Sequence, residues 1–103
     1  MNIQIKSENL KLTDEMKEYA EEKIGMLEKY LGDTPVIDAR VKLALTGNHH
    51  QKGDIYECKV NLTLPKETLI VMKVEQDIFK AIDKVKDHLE RSIEKYKETH
   101  NRA

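Results

Sequence analysis

The chain has 103 residues, of which 39% are hydrophobic and 36% charged; 18 basic and 19 acidic side chains leave a formal net charge of −1. That length supports one domain with one thin core, and the charge balance excludes a protein that adheres to any polyanion, because such binders carry a clear basic excess. The single cysteine, Cys58, excludes an intrachain disulfide and a Cys-rich zinc site, and no apolar run approaches the ~20 residues that span a bilayer, so the reading is a cytoplasmic protein with no membrane partner.

Ile3 and Ile5 alternate with Gln4 and Lys6, which predicts a short half-buried strand. Thr13 is placed to cap a helix whose first residues, Asp14 and Glu15, complement the positive end of its dipole. Met16, Ala20, Ile24, Leu27 and Leu31 follow at spacings of three and four and predict one buried stripe, ended by Gly32 and Pro35. The period then changes. Ile37, Ala39, Val41, Leu43 and Leu45 alternate with Asp38, Arg40 and Lys42, the pattern of a strand with one wet face.

Residues 46–54 read as a polar loop with two glycines. A third strand follows with Tyr56, Cys58, Val60, Leu62 and Leu64 inward, then a turn at Pro65-Lys66-Glu67. A fourth strand runs from Thr68 to Glu75, expected to turn Ile70, Met72 and Val74 inward. Asp77 caps the last helix, whose apolar residues Ile78, Ala81, Ile82, Val85, Leu89, Ile93 and Tyr96 recur over about five turns. The expected fold is α+β, in the order β-α-β-β-β-α: a four-stranded sheet with two helices packed on one face. It resembles a double-stranded-RNA-binding domain with an added leading strand. Residues 1–99 form the single domain and 100–103 a frayed tail.

The last helix is charge-asymmetric. At 100° per residue, Lys80, Lys84, His88, Arg91 and Lys95 fall within about 80° on one flank of the apolar stripe. The other flank is mixed, with Asp83, Lys86, Glu90, Glu94 and Lys97. Cations repeating every three to four residues lie about 5–6 Å apart, the scale on which a folded RNA presents phosphates. A solvated helix face would show the same pattern. The first helix is acidic outside, with Glu18, Glu21, Glu22 and Glu28 against Lys17, Lys23 and Lys29; Lys23 lies nearest the buried stripe, where it can extend a patch from the last helix.

Catalysis is not expected. His49 and His50 are adjacent on a loop, with only Asp54 near as a third ligand, and a loop pair has no preset metal geometry. Cys58 sits in an inward strand phase and reads as a small core residue. No Gly-rich phosphate loop, H-E-x-x-H or G-x-S-x-G motif is present, and no cofactor or small-molecule substrate is implied. Phe79, Tyr19, Tyr30 and Tyr96 fall on or beside apolar stripes, while the third strand shows Glu57, Lys59, Asn61 and Thr63 outward, so single-strand stacking on the sheet is disfavoured.

Blocks of sequence match a family in order. Met1-Asn2-Ile3-Gln4-Ile5, then Leu12-Thr13-Asp14 with Tyr19 and Lys23, then Leu27-Glu28-Lys29-Tyr30, resemble the start of the ribosome hibernation-promoting factors, a family of ribosome-associated inhibitors and sigma modulation proteins. Asp77-Ile78-Phe79-Lys80-Ala81-Ile82-Asp83 and Asp87-His88-Leu89-Glu90-Arg91-Ser92-Ile93-Glu94-Lys95 resemble its two later signatures. The resemblance covers essentially the whole chain and implies the same β-α-β-β-β-α fold. It also implies binding to the small ribosomal subunit over the messenger and transfer RNA sites, and inhibition of translation during stress or stationary phase by occupancy alone.

Under that resemblance the basic positions are Lys17, Lys23, Lys29, Arg91, Lys95 and Lys97. His88 stands where the family commonly has lysine, Met26 replaces another lysine, and Glu94 takes a frequently basic position; Lys80 and Lys84 are additional cations. An unperturbed imidazole titrates near pH 6.5, so His88 suggests docking that strengthens on mild acidification. The expected form is a monomer, either a short member or the N-terminal domain of a long one. The alternatives are a protein-interaction module, such as a transcription modulator, and a general double-stranded-RNA binder.

Overall fold

In a computed structural model that describes residues 1–49 and 53–100, with backbone only at 48 and 49, seven elements follow one another. They are β1 (Ile3–Glu8), α1 (Asp14–Gly25), α2 (Glu28–Leu31), β2 (Asp38–His49), β3 (Gly53–Leu64), β4 (Glu67–Glu75) and α3 (Ile78–His100). The sheet order is β1-β2-β3-β4, with β1 parallel to β2 and the rest an antiparallel meander. The α+β order expected from the sequence is the order observed.

Local chemistry starts each helix where expected. Thr13 Oγ1 accepts from the Met16 N–H at 3.2 Å, and Asp77 Oδ1 accepts from the Phe79 N–H at 2.8 Å. The first helix is shorter than its apolar stripe. It ends at Gly25, the Leu27 N–H bonds back to Ile24 O at 3.0 Å, and α2 then adds one turn. Gly25 lowers helix propensity at the break. The changed path keeps Leu27 and Leu31 buried and leaves Met26 on the surface.

The core lies between one sheet face and the helices. Ala20, Ile24, Leu27 and Leu31 from the α1–α2 arm meet Ala39, Val41, Leu43, Cys58, Val60, Leu62 and Leu64 from β2 and β3. The whole apolar stripe of α3, from Ile78 to Tyr96, is buried against them. Tyr96 also donates to Pro65 O at 2.7 Å, tying the end of α3 to the β3–β4 turn. Tyr19 and Phe79 pack edge to face, with ring centroids 5.0 Å apart, at the core's rim.

Three expectations are corrected. On β4, Leu69 and Val71 are the buried residues, whereas Ile70, Met72 and Val74 are 59%, 52% and 45% exposed on the open sheet face. Both phases of this strand are apolar, so alternation alone could not choose between them. Pairing decides: Leu69 lies opposite Leu62 and Val71 opposite Val60, both inward on β3. Ile37 precedes β2 and is 64% exposed, outside the alternation that buries Ala39, Val41 and Leu43. The segment read as a loop over 46–54 is largely strand, because β2 continues to His49 and β3 begins at Gly53, with a register shift between Leu45 and Gly47.

The side chains of His49 and His50 lie outside the described residues, as do 101–103 of the expected tail. His100 itself is helical, and its Nε2 lies 2.9 Å from Glu67 Oε1.

Candidate nucleic-acid interface

The cations singled out on α3 fall on two sides of that helix, and Lys23 and Lys29 join the second side from the α1–α2 arm. Lys80, Lys84, His88, Arg91 and Lys95 lie along the flank beside β4. Lys80, Arg91 and Lys95 are exposed and form no ion pair among the described residues. Lys84 Nζ is held by Glu75 Oε2 of β4 at 2.6 Å. His88 is half-buried, and its Nδ1 is a buried atom with no hydrogen-bond partner.

Burial, then the positive charges of Lys73 and Arg91, push the His88 imidazole below its ordinary value of 6.5. The unbound protein therefore carries a neutral His88 through the neutral range. That runs against the expectation of a histidine poised to charge on mild acidification.

The second side faces α1 and α2, and there Lys97, Lys23 and Lys29 have partners. Lys97 Nζ donates to Tyr30 O at 3.0 Å, close beside Gly32, and so satisfies a carbonyl at the C-terminal end of α2. Lys23 Nζ lies 4.0 Å from Asp83 Oδ1 and 5.4 Å from the centre of the Tyr19 ring. Asp83 also accepts from the Tyr19 hydroxyl at 2.7 Å, and that hydrogen bond, with burial, pushes the phenol up to about 12. Lys29 sits 5.3 Å over the Tyr30 ring, and Lys17 stands exposed on α1 without an ion-pair partner among the described residues.

Between the two sides, helical period sets Asp87, Glu94 and Glu98 on the exposed crest of α3. The nine positions therefore do not merge into one patch on the helix. An acidic crest separates a row beside β4, in which Lys80, Arg91 and Lys95 have no ion pair among the described residues, from Lys23 and Lys97, which are engaged beside the α1–α2 arm.

Two relevant residues were not singled out in the sequence. Lys86 makes an i,i+4 pair with Glu90, which holds the Glu90 carboxyl below its usual range. Its signal was the spacing itself. The other is Lys73, which the phase expected for β4, with Ile70, Met72 and Val74 inward, leaves among the outward residues. With Leu69 and Val71 turned to the core, Lys73 and Glu75 continue that side of the strand toward α3.

The open sheet face carries its own charges. Lys6, Lys42 and Lys59 lie directly opposite one another across β1, β2 and β3, and Met72 completes the row on β4. Lys42 is braced by Glu8 at 3.4 Å and Glu57 at 3.0 Å, and Arg40 by Asp38 at 2.7 Å. Among the described residues, no three of the His, Cys, Asp and Glu side chains are placed to hold a metal. Burial pushes the Cys58 thiol up to about 12, the condition of a core residue and not of a nucleophile. Among the described residues, no helix is long and apolar enough to cross a membrane.

A family model described as Sigma 54 modulation protein / S30EA ribosomal protein matches residues 3–101. A ribosome hibernation promotion factor of Lactococcus lactis subsp. cremoris (strain MG1363) is 38% identical over 99% of this chain and 52% of its own length. One from Staphylococcus aureus (strain COL) is 35% identical over 99% of this chain and 51% of its own. The chain thus spans about half the length of these curated relatives.

Among solved structures, the N-terminal domain of Thermus thermophilus Protein Y superposes with a TM-score of 0.78 at 29% identity, covering 93% of this chain and 99% of that one. A ribosomal subunit interface protein from Coxiella burnetii gives a TM-score of 0.77 at 18% identity, covering 94% and 98% respectively, and so shares the fold.

Proposed function

The chain belongs to the Sigma 54 modulation protein / S30EA ribosomal protein family, and on that premise we propose that it associates with the ribosome by docking on the RNA of the small subunit. Residues 1–99 act as one ribosome-binding domain, as a cytoplasmic monomer, over the messenger and transfer RNA sites. Translation is inhibited in stress or stationary phase by occupancy, without a chemical step or a cofactor.

One observation carries the contact face. In a chain whose acids outnumber its bases, Lys80, Arg91 and Lys95 stand in a row without a carboxylate partner among the described residues. Holding like charges unpaired in line costs a folded protein something and gains it nothing structural. A polyanion laid along the row accounts for it. The names of the two relatives point to the ribosome as that polyanion. Lys17, Lys23 and Lys29 supply further contacts from the first helical arm; Lys97, already engaged, contributes chiefly by holding that arm.

The test is co-sedimentation with purified small subunits at low and high salt, comparing wild type with Lys80→Glu/Arg91→Glu/Lys95→Glu. Wild type should pellet at low salt and the variant should not. Equal pelleting of both would leave the ribosome as partner and remove the row as contact face.

A second reading has its own support in the exposed row Ile70, Met72 and Val74 on the open sheet face. A protein-interaction module would bind through such a row. Its complex would survive ribonuclease and tolerate Arg91→Glu. General duplex-RNA binding predicts equal gel shifts with any duplex.

A further inference from the structure

Two contacts fix how β4 lies against α3. Lys84 meets Glu75 at 2.6 Å near one end of the seam, and His100 meets Glu67 at 2.9 Å at the other. Between these anchors β4 covers about 26 Å at ~3.3 Å per residue, and α3 covers about 24 Å at ~1.5 Å per residue. The spans agree, so strand and helix run antiparallel and in step. Lys73 is then ~6.6 Å from Glu75 along the strand, and His88 ~6 Å from Lys84 along the helix. Lys73 therefore stands across from His88.

The charges around His88 come from both elements. From β4 they are Lys73 and Glu75, and from α3 they are Lys84, Asp87 and Arg91. Glu75 is taken by Lys84, and Asp87 Oδ1 lies 3.7 Å from Lys86. Lys73 and Arg91 make no ion pair among the described residues, yet both act on the His88 ring. The result is a cationic gap in a seam whose two ends are closed by the Lys84–Glu75 ion pair and the His100–Glu67 contact.

We infer that Lys73, His88 and Arg91 form a clasp for a single phosphate group across the β4–α3 seam. The inference deepens the ribosome reading and rests on it for the polymer that carries the phosphate. Each residue has a distinct part. Arg91 offers a planar fork of donors, Lys73 a point charge from the strand side, and His88 the ring N–H between them. With Nδ1 turned inward and unpartnered, Nε2 is the nitrogen left to donate.

A bound phosphate cancels the two positive charges that act on the ring. Binding therefore raises the His88 titration midpoint, and by linkage affinity rises as pH falls through the midpoint of the bound form. Neither a solvated lysine face nor a merely structural histidine behaves in this way.

The experiment follows the His88 ring by NMR across pH in the intact chain, free and with saturating tripolyphosphate, for wild type, Lys73→Gln and Arg91→Gln. A parallel set measures pelleting with small subunits. The expected result is an upward move of the wild-type midpoint on adding tripolyphosphate, and a higher starting midpoint with a smaller move in each variant. Lys73→Gln and Arg91→Gln should each also weaken pelleting three- to tenfold, with melting unchanged.

A midpoint indifferent to tripolyphosphate, or moved equally in Lys73→Gln, overturns the clasp. If wild type then still pellets, the ribosome reading stands without it. If wild type fails to pellet while tripolyphosphate moves the midpoint, the phosphate clasp stands and the ribosome reading falls.

Discussion

The two flanks of α3 hold the same residue types to different ends. Beside β4, Lys80, Arg91 and Lys95 project without carboxylate partners among the described residues. Beside the α1–α2 arm, Lys97 is spent on the Tyr30 carbonyl, Lys86 on Glu90, and Asp83 on Tyr19 and Lys23. Helical periodicity separates a basic flank from a mixed one, but it does not say which cations are already engaged; their partners do. A cation with a partner reports on stability, and a cation without one reports on what arrives from outside.

That contrast breaks most visibly on the free side. Lys80→Glu/Lys95→Glu should lower affinity for small subunits by a hundredfold or more at low salt. It should also reduce the slope of log affinity against log salt by roughly 1.4–1.8, if each lysine neutralises one phosphate. Because both side chains lack partners, stability should stay within about 0.5 kcal/mol. A melting loss matching the binding loss would return these lysines to the structural class.

Lys97→Met should give the opposite signature. The long apolar stem is kept, but the Tyr30 carbonyl at the end of α2 loses its donor. A cost of about 1–2 kcal/mol is expected, or roughly 4–8 °C in melting midpoint per kcal/mol for a domain of this size. Pelleting, measured well below the midpoint, should fall less than threefold. A larger loss of binding with unchanged melting would place Lys97 on the ribosome instead.

Much of the scaffold was legible in the sequence because its patterns have one solution. The α3 stripe from Ile78 to Tyr96 has a single buried phase, and Thr13 and Asp77 are local capping devices that depend on nothing distant. What was not legible depended on pairing. β4 offers apolar residues on both faces, so its phase was settled only by its register with β3. The same inversion concealed Lys73, because a strand's charged rim follows the phase of its core. The row beside β4 was legible as a row, but its freedom was not. Whether a lysine has a partner depends on what another element brings to it, as Glu75 comes to Lys84 and Tyr30 to Lys97.

A finer cut uses Tyr19, whose hydroxyl joins α1 to α3 through Asp83 at 2.7 Å. Tyr19→Phe should cost about 1 kcal/mol and leave pelleting unchanged. In the wild type this phenol should ionise near 12, and in Asp83→Asn it should move back toward 10.0, followed by ultraviolet difference titration. An unshifted phenol in the wild type would mean that α1 and α3 are joined without this hydrogen bond, by apolar packing and the Lys23–Asp83 pair.

The smallest effect tests whether the engaged flank stabilises at all. The Glu90 carboxyl is held below its ordinary 4.5 chiefly by its hydrogen bond from Lys86, with burial opposing and the Tyr30 hydroxyl assisting. A depressed carboxyl contributes stability that is fully present above the unfolded value and is lost as pH falls through the folded one. Between pH 7 and pH 3, wild type should therefore lose more stability than Glu90→Gln. The difference should stay under about 1 kcal/mol, the scale of an i,i+4 pair with some shelter. Other carboxylates titrate in both proteins and cancel in the comparison of their urea midpoints. Parallel acid slopes would make Lys86–Glu90 a solvated pair, and the asymmetry of α3 would then rest on Lys97 and Asp83 alone. Converging slopes would show that the flank facing α1 spends its charges on the fold, which leaves the flank beside β4 as the one with charge to offer a partner.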